Sequence, residues 1–157
     1  MPLVTRREAI VDIFADRLRQ IRIANGYTTD AGSAVYLGEI PTLNDPNDPN
    51  VSLAILPGDE EPASHQMEHV FFTWAIEIGA VVKIDATDAW RLVEHLIADI
   101  KQAVETVDRK LNGNLPDRIS RGPVRQLPRE AGSTTTGAAV TYLVPYPEPW
   151  GQPRIEA

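Results

Sequence analysis

The chain has 157 residues, 43% hydrophobic and 24% charged, which suits one domain able to bury its own core. It contains no cysteine, so disulfides, thiolate zinc sites and thiol nucleophiles are excluded. A net charge of −7 lacks the positive footprint of a general nucleic-acid binder, and no apolar run approaches the length of a membrane span.

The charge is unevenly spread. Residues 1–22 carry five Arg against three acidic groups, whereas Ile23 to Val82 holds nine acidic residues and no Lys or Arg. From Lys83 onward ten basic and ten acidic residues balance. Separation of this kind is either solvated surface or one face of a molecule that meets an opposite face on a neighbour. The N-terminal residues show no signal-peptide h-region, so the chain is expected to act where it is made or in a particle built there.

Thr5-Arg6-Arg7-Glu8 has capping-box spacing, and Ile10, Ile13, Phe14, Leu18 and Ile21 follow at helical intervals. A first helix is therefore predicted, stopping near Asn25-Gly26. Ala34–Ile40 reads as a strand, the Asp/Asn/Pro-rich run Asn44–Asn50 as turns, and Val51–Leu56 as a second short strand. Pro57 to about Met67 is polar and acidic and reads as an exposed loop. Val70–Val82 then alternates, with Phe72, Trp74, Ile76, Ile78, Ala80 and Val82 on one face.

A second helix is predicted from about Thr87, with Asp85 or Thr87 at its start, to Leu111. Its buried stripe is Leu92, Leu96, Ile97, Ile100, Val104, Val107 and Leu111. Arg118–Leu127 and Ala138–Val144 read as strands joined by the loop Pro128–Gly137. Four prolines between Pro145 and Pro153 predict an extended C-terminal tail from about residue 145. The expected architecture is a single α+β domain over residues 1–157, in the order α-β-β-β-α-β-β. Its mainly antiparallel sheet of about five strands carries both helices on one face. Phe14, Leu18, Trp74, Ile76, Leu96 and Ile100 are expected to meet in the core.

The sharpest enzymatic signal is His65-Gln66-Met67-Glu68-His69, a match to the inverted zinc-peptidase pattern H-x-x-E-H. That chemistry needs both histidines one helical turn apart, with Glu68 as general base on a zinc-bound water. Here the motif joins a polar loop to an alternating strand, and two histidines four residues apart on a strand stand about 13 Å from each other. A small zinc hydrolase using His65, Glu68 and His69 is thus a distant alternative, and no metal or cofactor site is expected. Asn44–Asn50 lacks the Gly and terminal Glu of an EF-hand, and Gly132–Gly137 lacks the Lys-Ser/Thr of a P-loop. No G-x-S-x-G surrounds Ser33, and His95 reads as a helix surface residue. No catalytic site is expected, and the chain reads as a non-enzyme.

Arg118, Arg121, Arg125 and Arg129 lie in a stretch without acidic residues, while Asp59, Glu60 and Glu61 have no basic neighbour in sequence. These seven residues are the candidate subunit interface, the arginines of one copy facing carboxylates of another, and a salt-bridged or solvated strand is the other reading of the arginines. Sequence-specific nucleic-acid binding is not expected, because neither aromatic interleaving nor a basic domain accompanies the arginines.

Two segments carry a family resemblance. Gly26-Tyr27-Thr28-Thr29-Asp30-Ala31-Gly32-Ser33-Ala34-Val35 is similar to a stretch common in small phage tail-completion proteins. Val140-Thr141-Tyr142-Leu143-Val144-Pro145-Tyr146, followed by Gly151-Gln152-Pro153, is similar to their last strand and its Tyr-then-Pro tail. With the order of elements between them, the chain resembles the tail terminator proteins of long-tailed bacteriophages. The resemblance implies an α+β subunit in a ring, typically a hexamer around a channel. Such a ring caps the tail tube, stops its polymerisation and offers the head-joining surface. Its implied partners are itself, the tail tube protein and the head-tail connector protein. Its implied location is the virion tail, after assembly in the host bacterial cytoplasm. Another head-tail joining or neck protein is the alternative, and the family lends no catalytic residues.

Overall fold

The computed structural model of the chain describes residues 2–115, 117–128 and 131–156. Its elements in chain order are β1 (Leu3–Thr5), α1 (Arg6–Arg19), β2 (Val35–Leu37), β3 (Val51–Gln66), β4 (His69–Lys83), α2 (Ala89–Glu105), β5 (Ser120–Gln126), β6 (Thr135–Pro149) and β7 (Arg154–Glu156). The fold is α+β, with two helices and a five-stranded sheet ordered β2-β3-β4-β6-β5. All its pairings are antiparallel except β2 with β3. The short strands β1 and β7 pair separately, bringing the two ends of the described chain together.

The capping box forms as its spacing predicts. The Glu8 amide donates to Thr5 Oγ1 at 3.0 Å, and the Thr5 amide donates to Glu8 Oε2 at 2.6 Å. Those bonds favour the charged carboxylate and hold Glu8 below its ordinary pKa. Ile10, Phe14 and Leu18 of α1 are buried with Leu96, Ile100 and Val104 of α2. They share that core with Leu53 and Ile55 of β3, Trp74, Ile76 and Ile78 of β4, and Val140 and Tyr142 of β6. Phe14, Leu18, Trp74, Ile76, Leu96 and Ile100 all belong to this cluster. A smaller cluster on the opposite sheet face joins Leu43, Ala54, Val81, Leu127 and Ala139.

The second helix stops at Glu105, short of the expected Leu111, and Val107 is 49% exposed rather than buried. Arg17 reaches across from α1 and donates to the carbonyls of Val104 at 3.1 Å and Asp108 at 2.5 Å. A buried guanidinium there satisfies carbonyls that a continuing helix would have bonded itself. Leu111 is buried, but from the turn beyond α2, where its φ is 52°.

The segment from Gly26 to Ser33 is held by one carboxylate. Asp99 on α2 is 1% exposed and accepts from the amides and hydroxyls of both Thr28 and Thr29, at 2.7–3.0 Å. Gly26 takes the left-handed conformation, with φ 89°. Gly32 packs so tightly that an added Cβ would stand 2.7 Å from the carbonyl oxygens of Leu18, Arg19 and Ile21. Asp99 and these backbone constraints therefore account physically for the two Thr and two Gly, half of this segment's eight residues.

The largest departure from expectation concerns Pro57–Met67. It is not a loop: β3 continues to Gln66, and Met67-Glu68 form a tight turn into β4. Two irregularities, between Pro57 and Glu60 and between Pro62 and Ser64, each insert an extra residue opposite β4. Those inserts interrupt the two-residue alternation that a sequence reading depends on. Residues 145–149 likewise belong to a strand, with Pro145, Pro147 and Pro149 opposite Thr73, Phe71 and His69.

Candidate assembly surface

Residues 57–66 of β3, 69–75 of β4 and 144–149 of β6 form a three-stranded arm that leaves β2 and β5 behind. Along β4, from Ile76 opposite Pro57 to His69, seven steps of about 3.3 Å carry it roughly 23 Å. Aromatic packing stiffens its base. Tyr146 stacks on Phe72 with centroids 5.5 Å apart, and the Trp74 ring meets Tyr146 edge-on at 6.2 Å. Arg7 of α1 lies over the Trp74 ring at 4.2 Å and within 3.4 Å of Glu60 Oε2. Glu60 also accepts from the Tyr146 hydroxyl, and Trp74 Nε1 donates to Gly58 O at 3.0 Å. Burial and the neighbouring Glu60 push the Tyr146 phenol well above the ordinary tyrosine range. Beside this cluster, Val11, Leu37, Pro57, Trp74 and Pro153 line an open groove of about 690 Å³.

The arm ends in apolar groups that pack against nothing in their own core. Met67 is 99% exposed at the turn, with φ 52°, and Trp150 is 62% exposed. Trp150 stacks on His65 at 5.7 Å and donates its amide to Glu68 O. This hairpin also settles the geometry of the H-x-x-E-H match. Gln66 pairs directly with His69, so His65 and His69 project from opposite faces of the ribbon. The helical spacing that the zinc motif requires is not formed, and the described residues contain no cluster of three or more potential metal ligands.

Every proline of the arm turns its missing amide to an open edge. Leu53 N donates to Ala34 O and Gly38 N donates to Ile55 O, so these β3 residues face β2. By strand alternation Pro57 faces the same way, beyond the end of β2. Pro62, opposite Phe72 on the face that Pro57 shares with Ile76, does so too. Across the arm, Gly137 O accepts from Leu127 N and so points to β5. The β4–β6 register is unbroken, hence Pro145, Pro147 and Pro149 point the same way, past the last β5 pair at Leu143. Prolines on both edges withhold the donors that an incoming strand would need. Their period-two spacing at 145, 147 and 149 was the sequence signal for a strand edge, obscured because prolines also read as a tail.

The candidate interface residues fall at separate places. Asp59 and Glu61 are exposed on the arm, and Glu60 is committed to Arg7 and Tyr146. Arg121 and Arg125 each have an acidic partner within their own chain. Arg121 Nε lies 3.7 Å from Glu105 of α2, and Arg125 grips Glu77 of β4 through both Nε and Nη2. That bidentate hydrogen bonding raises the Arg125 pKa. An irregularity between Arg121 and Val124 adds one residue, so the two arginines leave β5 on opposite faces. Arg118 is exposed just before β5, and Arg129 lies outside the described residues.

No protein family model matches the chain, and no curated protein matches it either. Among solved structures, the chain is similar to the core region of PilO from the type IV pilus system of Pseudomonas aeruginosa. The identity is 10% over 63% of this chain and 82% of that one, with a TM-score of 0.21. A likeness at that level carries no argument about fold or role.

Proposed function

We propose that the chain is a structural assembly protein that acts as a phage tail terminator. Its ring, hexameric by the family resemblance, caps the tail tube, stops tube growth and receives the head connector. The observation that supports this reading best is the arm. A strand ribbon roughly 23 Å long starts in the core at Trp74, Val144 and Tyr146 and carries its outer end past it, with its edges closed by proline and Met67 and Trp150 exposed at its tip. Met67 is almost wholly exposed and Trp150 keeps most of its surface open although it stacks on His65, and paired exposed apolar groups at such a tip suit contact with another protein. With both edges blunted, the arm recognises its partner through side chains rather than by adding a strand. We assign the tip to the tail tube or head connector, and the body of the sheet to contacts between copies.

The test is tail length. Tails assembled without this chain should be overlong and of uneven length in negative-stain images, and adding purified protein to growing tubes should restore a fixed length. Tails of normal length that fail only to gain heads would move the chain to a head-tail joining role. Tails of normal length with heads attached would overturn both assignments.

A further inference from the structure

Among the described residues, the five-stranded sheet has two strands that pair on one side only, β2 and β5, and these lie at its two opposite edges. They also lie at the same height. Leu37 pairs with Ile55, Ile55 with Ile78, Ile78 with Val140, and Val140 with Val124, which makes one row across the whole sheet. Their free donors face outward. Gly38 N bonds β3, so by alternation the main-chain groups of Val35 and Leu37 point away from it. Leu127 N bonds Gly137 on β6, so the Gln126 amide points away from the sheet. Unlike the arm, neither edge has proline at these outward positions.

The sequence around the two edges differs in charge, although Arg121 and Arg125 of β5 are paired with Glu105 and Glu77 within the chain. Strand β2 lies inside the stretch Ile23–Val82, which has no Lys or Arg, with Asp30 and Glu39 close to its ends. Strand β5 lies inside Arg118–Arg129, which has no acidic residue. Both edges also show apolar side chains on the helix-bearing face, with Leu37 51% and Val124 41% exposed.

We propose that β2 of one copy pairs with β5 of the next, joining the five-stranded sheets of neighbouring copies edge to edge around the ring. The occupant of each edge is a second copy of this chain. Strand directions fit: β2 runs parallel to β3 and β6, and β5 runs against β6, so the new pair is antiparallel. Two different edges meeting head to tail make a heterologous contact, which closes into a ring when the rotation per copy allows it. Arg121 and Arg125 on β5 are already paired with Glu105 and Glu77 of their own chain, so main-chain donors, strand direction and the exposed Leu37 and Val124 carry the contact rather than charge. Copies related in this way hold their strands along the ring axis, so every arm projects from the same rim. The pairing rests on the ring reading above.

Because the chain has no cysteine, cross-linking tests the contact cleanly. Leu37→Cys protein is mixed with Val124→Cys or Gln126→Cys protein under mild oxidation, alone and with tail tubes, and oligomers are separated by sedimentation. A mixed disulfide is expected with one or both β5 variants, and none with Met67→Cys at the arm tip. Gln126→Pro removes an outward amide and leaves the β6 ladder intact. It should raise the concentration for half-assembly by at least about tenfold, while Gln126→Ala assembles as wild type. If Gln126→Pro fails to fold, the cross-links alone decide. Oligomers without the mixed disulfide, or of wild-type size with folded Gln126→Pro, overturn the pairing and leave the terminator assignment to the tail-length test. A chain that stays monomeric with and without tubes overturns the pairing and the ring together.

Discussion

The two halves of the sheet use the same backbone pairing for different ends. Near the helices, alternate residues of β3, β4 and β6 are fully buried under α1 and α2, and the outer edges keep free amides. In the arm the same three strands leave the core, with Trp74, Val144 and Tyr146 still buried at its base beneath α1, and their edges closed by Pro57, Pro62, Pro145, Pro147 and Pro149. Most buried side chains lie in the first region, and the arm adds Trp74 and Tyr146 at its base and exposed Met67 and Trp150 at its tip. A sheet can extend beyond its core if aromatic pairs anchor the base of the extension and prolines guard its edges.

Mutations should separate the halves by size of effect. Leu96→Ala, in the fully buried contact between α2 and the sheet, should cost about 2–5 kcal/mol in denaturant melts, as truncations in packed cores do. A cost below about half a kcal/mol would mean that the helix face carries little of the stability. Asp99→Ala strands the amides and hydroxyls of Thr28 and Thr29 and should cost about 2–3 kcal/mol. It should also raise hydrogen exchange in residues 26–33 more than anywhere in the arm.

Alkaline pH gives a third comparison. Burial beside Glu105 pushes the Tyr142 phenol far above its ordinary range. Above about pH 10 the unfolded chain loses this proton while the folded chain retains it, so stability falls as pH rises, by up to about 1.4 kcal/mol per unit for this group. Tyr142→Phe should flatten that slope, and equal slopes in the two proteins would show that Tyr142 is not its source.

The arm responds least in stability. Arg7→Ala removes the cation over Trp74 and the ion pair to Glu60, and should cost about 1 kcal/mol. Met67→Glu at the open tip should change melting by less than about half a kcal/mol, yet impair capping of tail tubes. Full capping activity with glutamate at this position would remove the tip from the contact.

What the sequence determined by itself was local. Thr5 and Glu8 lie three residues apart, Phe14 and Leu18 share a helix face, and Phe72 to Val82 alternate. Each pattern names its element because the helix and strand periods act within a few residues. The same reasoning identified the α+β class and the six central core residues. It failed at Pro57–Gln66, where two inserted residues break the alternation and the acidic composition resembles solvated loop. It also placed Arg121 and Arg125 on one segment without revealing Glu105 and Glu77 as their partners, which come from α2 and β4. Which edge a proline closes, and which strands keep open edges, only the tertiary structure decided. Those properties depend on the order β2-β3-β4-β6-β5 and its register, set by the burial of side chains far apart in sequence.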